Sequence, residues 1–252
     1  MINKNALLIS IVVVLILYIL LQLAYKQQEI NVFIINLDRS HMRKYNITAQ
    51  LYLHGLEFNR FNAIDGRNYT FNEKEKTLFS GIINENKEII ANGKTITDEE
   101  IEQKRKNIMS CALSHILIWK QNIDNGPVLI LEDDIIFTSY FKQKLINGFK
   151  LIEEYDPNWH ILWISSGDPG NREIITTFGN HSIYRMNPPE YNGQGAMGYI
   201  LSNKGLEYFT KKLEEKGCEH GIDIFLLKYL DIHHSYGIYK PLVSEGVFNS
   251  TI

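Results

Sequence analysis

The stretch Gly126-Pro127-Val128-Leu129-Ile130-Leu131-Glu132-Asp133-Asp134-Ile135-Ile136-Phe137 decides how this chain is read. A Gly-Pro pair turns into Val128–Leu131, four apolar residues that read as a strand buried on both faces. Three carboxylates follow where that strand ends. Flanked by Leu131 and Ile135, adjacent negative charges repel one another and resist dehydration unless a cation compensates them. Alternate residues of an extended segment point the same way, so Glu132 and Asp134 share one face and Asp133 opposes them. Two oxygen ligands beside open space suit a hard divalent ion such as Mn²⁺ or Mg²⁺, which commonly also holds a phosphate. The competing reading is an acidic turn that merely follows a core strand.

The segments around this stretch alternate between strand and helix patterns. Val32–Leu37 is a continuous apolar run, and Asp38-Arg39-Ser40 ends it, with Ser40 placed to cap a helix whose apolar residues are Met42, Ile47, Leu51 and Leu53. A short strand, Glu57–Ile64, runs into Asp65-Gly66. Residues 67–97 are polar and weakly patterned and read as a surface excursion. Thr97-Asp98-Glu99-Glu100 forms a capping box before a charged helix. Asn107–Gln121 is a mostly buried helix carrying Ser114 and His115. His115 is either a hydrogen-bonded core histidine or a chemical group.

Beyond the acidic triplet, Thr138 or Ser139 is positioned to cap a helix reaching Tyr155, and Trp159–Ile164 reads as a strand. Residues 172–189 read as irregular, with a short strand around Ile183–Met186. Gly193–Ser202 enters a strand through glycines, and Ser202 or Asn203 caps a helix ending near Gly217. Asp223 stands among Ile222, Ile224 and Phe225, so it either caps the next helix or faces a polar site.

The 252 residues, 44% of them hydrophobic, suffice for one sizeable α/β core. A net charge of −3 excludes the basic excess that tracks nucleic-acid phosphates, so no nucleic-acid partner is expected. Two cysteines support no disulfide framework and no Cys-x-x-Cys zinc motif. No Gly-x-Gly-x-x-Gly or Walker loop is present. Residues 6–24 are almost wholly apolar and long enough to span a bilayer, which reads as a retained signal anchor. The expected organisation is a tail at 1–5, the transmembrane anchor at 6–24, a linker at 25–31 and one folded domain over 32–252. Lys26, Arg39, Arg43 and Lys44 after the span point to a cytoplasmic domain. Four Asn-x-Ser/Thr sites, at Asn46, Asn68, Asn180 and Asn249, fit a lumenal one of the ER/Golgi type instead. The side of the membrane stays open, with the lumen preferred.

Six segments in order resemble glycosyltransferase family 25, the lipopolysaccharide-type and procollagen-galactosyltransferase-like enzymes. They are Ile35–Ser40, Ala63-Ile64-Asp65-Gly66, Cys111–His115, Leu129–Asp134, Gly195–Lys204 and Gly221–Phe225. One departure is Asn107–Cys111, where the family usually carries Gly-Glu-x-Gly-Cys.

The resemblance implies a GT-A-like fold, a Rossmann-like mixed sheet with flanking helices. It also implies inverting transfer of a hexose, galactose or glucose, from a UDP-sugar to a glycan or glycoprotein hydroxyl. Glu132 and Asp134 would hold Mn²⁺ (or Mg²⁺), and Asp133, pointing the other way, is either structural or close to the sugar. Asn36, Leu37, Arg39 and Asp65 would line the nucleotide pocket. Asp223 is the expected general base and His115 the second choice. Two other functions compete: an anchored carbohydrate-binding or adhesion module without catalysis, and a metal-dependent phosphoester hydrolase.

Overall fold

The first strand, β1 (Asn31–Asn36), is flanked by two parallel neighbours, β2 (Asn59–Asn62) and β3 (Val128–Glu132). In this computed structural model Leu15 and residues 30–165, 172–186 and 195–246 are described. The chain divides into two units, Met1–Ile30 and Asn31–Ile252. The expected anchor at 6–24 lies outside the described residues apart from Leu15. Among the described residues, no helix is long and apolar enough to cross a membrane.

Eight strands form one mixed sheet in the order β2-β1-β3-β8-β5-β9-β7-β6. The strands not yet placed are β5 (Ile161–Trp163), β6 (Ile174–Phe178), β7 (His181–Arg185), β8 (Gly198–Leu201) and β9 (Ser235–Tyr239). β8 runs antiparallel to both β3 and β5, while β9 is parallel to β5. A separate antiparallel pair joins β4 (Ile135–Phe137) to β10 (Val243–Glu245). The β1–β3 register sets Ile35 beside Glu132, so the two strands finish level at the acidic triplet.

Both faces of the sheet are covered, as the unbroken apolar run of β3 requires. Val128 and Ile130 join a core built with α5 (Asp98–Gln121), α7 (Asn203–Lys216) and α8 (Ile222–Lys228). Leu129 and Leu131 are equally buried and point the other way. On that side lie α1 (His41–Leu53) and α6 (Phe141–Tyr155), the latter burying Phe141, Leu145, Phe149 and Ile152 at helical spacing.

Several expectations are corrected. Residues 67–97 hold three short helices, α2 (Glu73–Leu78), α3 (Ser80–Asn84) and α4 (Lys87–Ala91). Their organising signal is a capping box between Asn72 and Glu75, and Phe79 and Ile82 are fully buried. The charged segment and the Leu-Ser-His segment are one 24-residue helix, opened by the Thr97–Glu100 capping box. The buried face of α1 is Arg43, Ile47 and Leu51, whereas Met42 and Leu53 are exposed. Ser40 occupies the N-cap position without a side-chain cap bond. Tyr140, in the left-handed conformation, precedes α6 in place of Thr138 or Ser139. Residues 174–185 form a hairpin, and Gly221 stands at the N-cap of α8, which leaves Asp223 in its first turn. Ser202 caps α7 as read, accepting the Gly205 N–H at 3.0 Å.

Candidate active site

Asn36 closes β1 and is almost wholly buried. Its Nδ2 donates to Asp133 Oδ2, and its Oδ1 accepts from Arg60 Nε at 3.0 Å. Asn36 therefore ties the ends of three neighbouring strands together. In the turn that follows, Arg39 Nε donates to Asp65 Oδ2 at 2.8 Å. The Arg39 guanidinium holds the Asp65 carboxyl below the usual carboxylate range, so Asp65 stays ionised. Leu37, Arg39 and Asp65 line a cleft of about 80 Å³ together with the acidic triplet. Asn36 lies behind this lining and reaches it through Asp133.

The triplet is not arranged as strand alternation predicts. β3 ends at Glu132, the chain turns at Asp133-Asp134, and β4 begins at Ile135. Alternation holds only for extended residues, so the turn groups the two aspartates together. Arg43 Nη1 donates to Asp133 Oδ1 and to Asp134 Oδ2, each at 3.1 Å. Glu132 instead points towards α5. Asp134 keeps one oxygen, Oδ1, buried without a hydrogen-bond partner among the described residues. Burial pushes the Asp134 carboxyl up, and the charge of Glu132 adds to the effect.

Helix α5 supplies the opposite wall. Ser114 Oγ donates to Ser110 O at 2.8 Å and accepts the Ile64 N–H at 2.9 Å, which fixes the loop before Asp65. His115 is fully buried. Its Nδ1 lies 2.8 Å from the Tyr199 hydroxyl, which accepts Trp119 Nε1–H at 3.1 Å. Nε2 lies 3.4 Å from Glu132 Oε1, off the line of a hydrogen bond. One turn before His115, Cys111 lines the cleft. Burial raises its thiol well above the ordinary value, and the charges of Glu132, Asp223 and Asp134 reinforce this.

Asp223 is not among the residues lining the cleft, although its charge is felt at Cys111, which is. His115 likewise stands behind the wall. The triplet, Leu37, Arg39 and Asp65 are therefore brought together directly, Asn36 and His115 through neighbours, and Asp223 stands outside the cleft lining. Two participants went unread in the sequence: Arg43 as the cation facing the aspartates, and Cys111 as a donor beside His115. The signal for Arg43 was its i, i+4, i+8 spacing with Ile47 and Leu51, which puts a guanidinium on a buried face.

A comparison with family models adds the deciding observation, for the model described as "Glycosyltransferase family 25 (LPS biosynthesis protein)" matches residues 29–226. The chain belongs to glycosyltransferase family 25. The matched span takes in every site residue discussed above. Among named relatives, this family 25 chain is 24% identical over 181 residues to procollagen galactosyltransferase 1 of Danio rerio, covering 70% of this chain and 27% of that protein. It is 26% identical over 124 residues to the lacto-N-neotetraose biosynthesis glycosyltransferase LgtB of Neisseria meningitidis serogroup B, covering 46% and 44% of the two chains. It thus spans less than half the length of either relative. Among solved structures, apo mouse xyloside xylosyltransferase 1 matches at 10% identity and a TM-score of 0.29, covering 78% of this chain and 67% of that one. So loose a likeness carries no argument about the fold.

Proposed function

We propose that this family 25 chain is an inverting hexosyltransferase. It moves galactose or glucose from a UDP-sugar to a hydroxyl of a glycan or glycoprotein acceptor. The carrying observation is the buried Oδ1 of Asp134, without a hydrogen-bond partner among the described residues, in a cleft also lined by Glu132, Leu37, Arg39 and Asp65. Oxygen donors that repel one another in one cleft fit a hard divalent ion, so Glu132 and Asp134 would hold Mn²⁺ or Mg²⁺. When bound, that ion neutralises the diphosphate leaving group.

The chain's own residues do the rest. Arg39 and Asp65, locked by their ion pair, present a rigid edge for the nucleotide. Asn36 and Arg43 hold Asp133 at the sugar end. Asp223 takes the acceptor proton, a reading supported by its partly exposed place in the first turn of α8. His115 is sealed from the cleft, so it orients and does not accept that proton. Residues 6–24 anchor the enzyme in a membrane with its domain in the lumen.

Incubating the full chain with Mn²⁺ and a panel of nucleotide sugars, with and without glycan acceptors, tests this reading. UDP-hexose turnover that rises with acceptor supports it. Phosphoester hydrolysis without transfer would point to the hydrolase. Calorimetry showing no metal-dependent UDP binding would leave only the inert binding module.

A further inference from the structure

Among the described residues, one group of three nitrogen, sulfur and oxygen donors converges closely enough to hold a metal ion. Cys111 Sγ, a His115 ring nitrogen and a Glu132 carboxylate oxygen all lie within 4.8 Å of one another. Cys111 and His115 are four residues apart on α5, which stacks them on one face, and Glu132 meets them from the end of β3. His115 is fully buried, and its Nε2, 3.4 Å from Glu132 Oε1, has no hydrogen-bond partner among the described residues. A buried ring nitrogen left unsatisfied beside a carboxylate and a thiol marks a place for a ligand.

We propose that Cys111, His115 and Glu132 form a binding site for a borderline transition ion, with Zn²⁺ as the species that fits. One sulfur, one imidazole nitrogen and one carboxylate oxygen are the donors such an ion prefers, whereas Mn²⁺ and Mg²⁺ select oxygen. Zn–S near 2.3 Å and Zn–N or Zn–O near 2.0–2.1 Å put these three tetrahedral donors roughly 3.3–3.6 Å apart. Side-chain adjustment of about an ångström therefore closes the present cluster. Cys111 and Glu132 line the cleft, and three protein ligands leave a fourth position for a water or another small donor.

Charge and protons balance. The Cys111 thiol releases its proton to solvent, and thiolate plus carboxylate neutralise the ion. The ion takes the Nε2 lone pair, and the imidazole keeps its single proton on Nδ1. That proton is donated to Tyr199, whose oxygen has one lone pair occupied by Trp119 and a second free to accept. Tyr199 thereby holds the ring as an outer-sphere partner. The site depends on no step of the transfer reaction and shares only Glu132 with the cation of that reading.

Co²⁺ titration of the reduced full chain tests the site without recourse to activity. The expected result is one Co²⁺ per chain, with a near-ultraviolet thiolate-to-metal band and intense visible bands of a four-coordinate ion. Equimolar Zn²⁺ removes both. Cys111→Ser loses the near-ultraviolet band, while Cys218→Ser keeps it. Should Cys111→Ser fail to fold, the wild-type chain still decides, because Zn²⁺ slows maleimide labelling of Cys111, read by mass spectrometry, and Mg²⁺ does not. A wild-type spectrum without a thiolate band, a band that survives Cys111→Ser, or labelling indifferent to Zn²⁺ would overturn the proposal. Mn²⁺-dependent UDP binding measured beside these titrations reports separately on the proposed transferase.

Discussion

Arg43 and Asp133 stand 90 residues apart in the chain and 3.1 Å apart in space. The same nitrogen reaches Asp134 at the same distance. A cation from α1 thus does within the protein what the acidic triplet demands, and it leaves Glu132 as the carboxylate turned towards α5. Removing it strands two carboxylates in a largely buried place. Arg43→Met should destabilise the fold by about 3–5 kcal/mol, read as a lower denaturant midpoint with an unchanged slope. A midpoint within experimental scatter of wild type would show that the pair is solvated and inert.

Asp134 gives a pH signature of its own. Its carboxyl is raised by burial and by Glu132, so the folded state holds its proton to higher pH than the unfolded chain does. Stability then falls as pH rises from the ordinary carboxylate range through the raised value. Asp134→Asn removes that loss and should gain on wild type in urea melts at pH 7 relative to pH 4. Parallel curves for the two proteins would contradict it.

Asp156 behaves with the opposite sign at the other end of the sheet. Burial pushes its carboxyl up, but His234 at 2.8 Å, the Asn158 N–H and the Tyr236 hydroxyl at 2.9 Å outweigh that and hold it low. The stability it supplies is fully present above the ordinary carboxylate range and is lost as pH falls through the lowered value. Asp156→Ala should cost about 2 kcal/mol at pH 7 through unpaired buried partners, and Asp156→Asn should flatten the acid limb of the stability curve. An acid limb unchanged in the Asn variant would assign that limb to other carboxylates.

Asp223 separates chemistry from binding. If it takes the acceptor proton, Asp223→Asn lowers kcat by about a hundredfold or more while calorimetric binding of UDP and Mn²⁺ stays nearly unchanged. Lost nucleotide binding would place it in the donor pocket, and full turnover would remove it from the mechanism.

Much of the framework was legible residue by residue. The buried strand before the triplet showed as a run of consecutive apolar residues, and the Thr97–Glu100 capping box and the Ser202 cap rest on bonds between residues three apart. Arg43 was legible in principle from its spacing with Ile47 and Leu51. Met42 and Leu53 obscured it, because apolar residues on the exposed face of a short helix blur its stripe. Residues 67–97 misled for a related reason: short helices carry too few turns to show a period, so only the Asn72 cap marked them.

By itself the sequence determined that a continuous apolar strand ends in three carboxylates, beside a helix bearing Cys111, Ser114 and His115, in the order of family 25. Hydrophobic period, capping and motif order are local and survive in one dimension. Only the tertiary structure decided how the three carboxylates divide. The β1–β3 register puts Asn36 against Asp133, the turn at 133–134 gives both aspartates to Arg43, and β8 brings Tyr199 to His115 from 84 residues away. Which charge meets which partner depends on strand register and on where extension stops, and neither is written in any single segment.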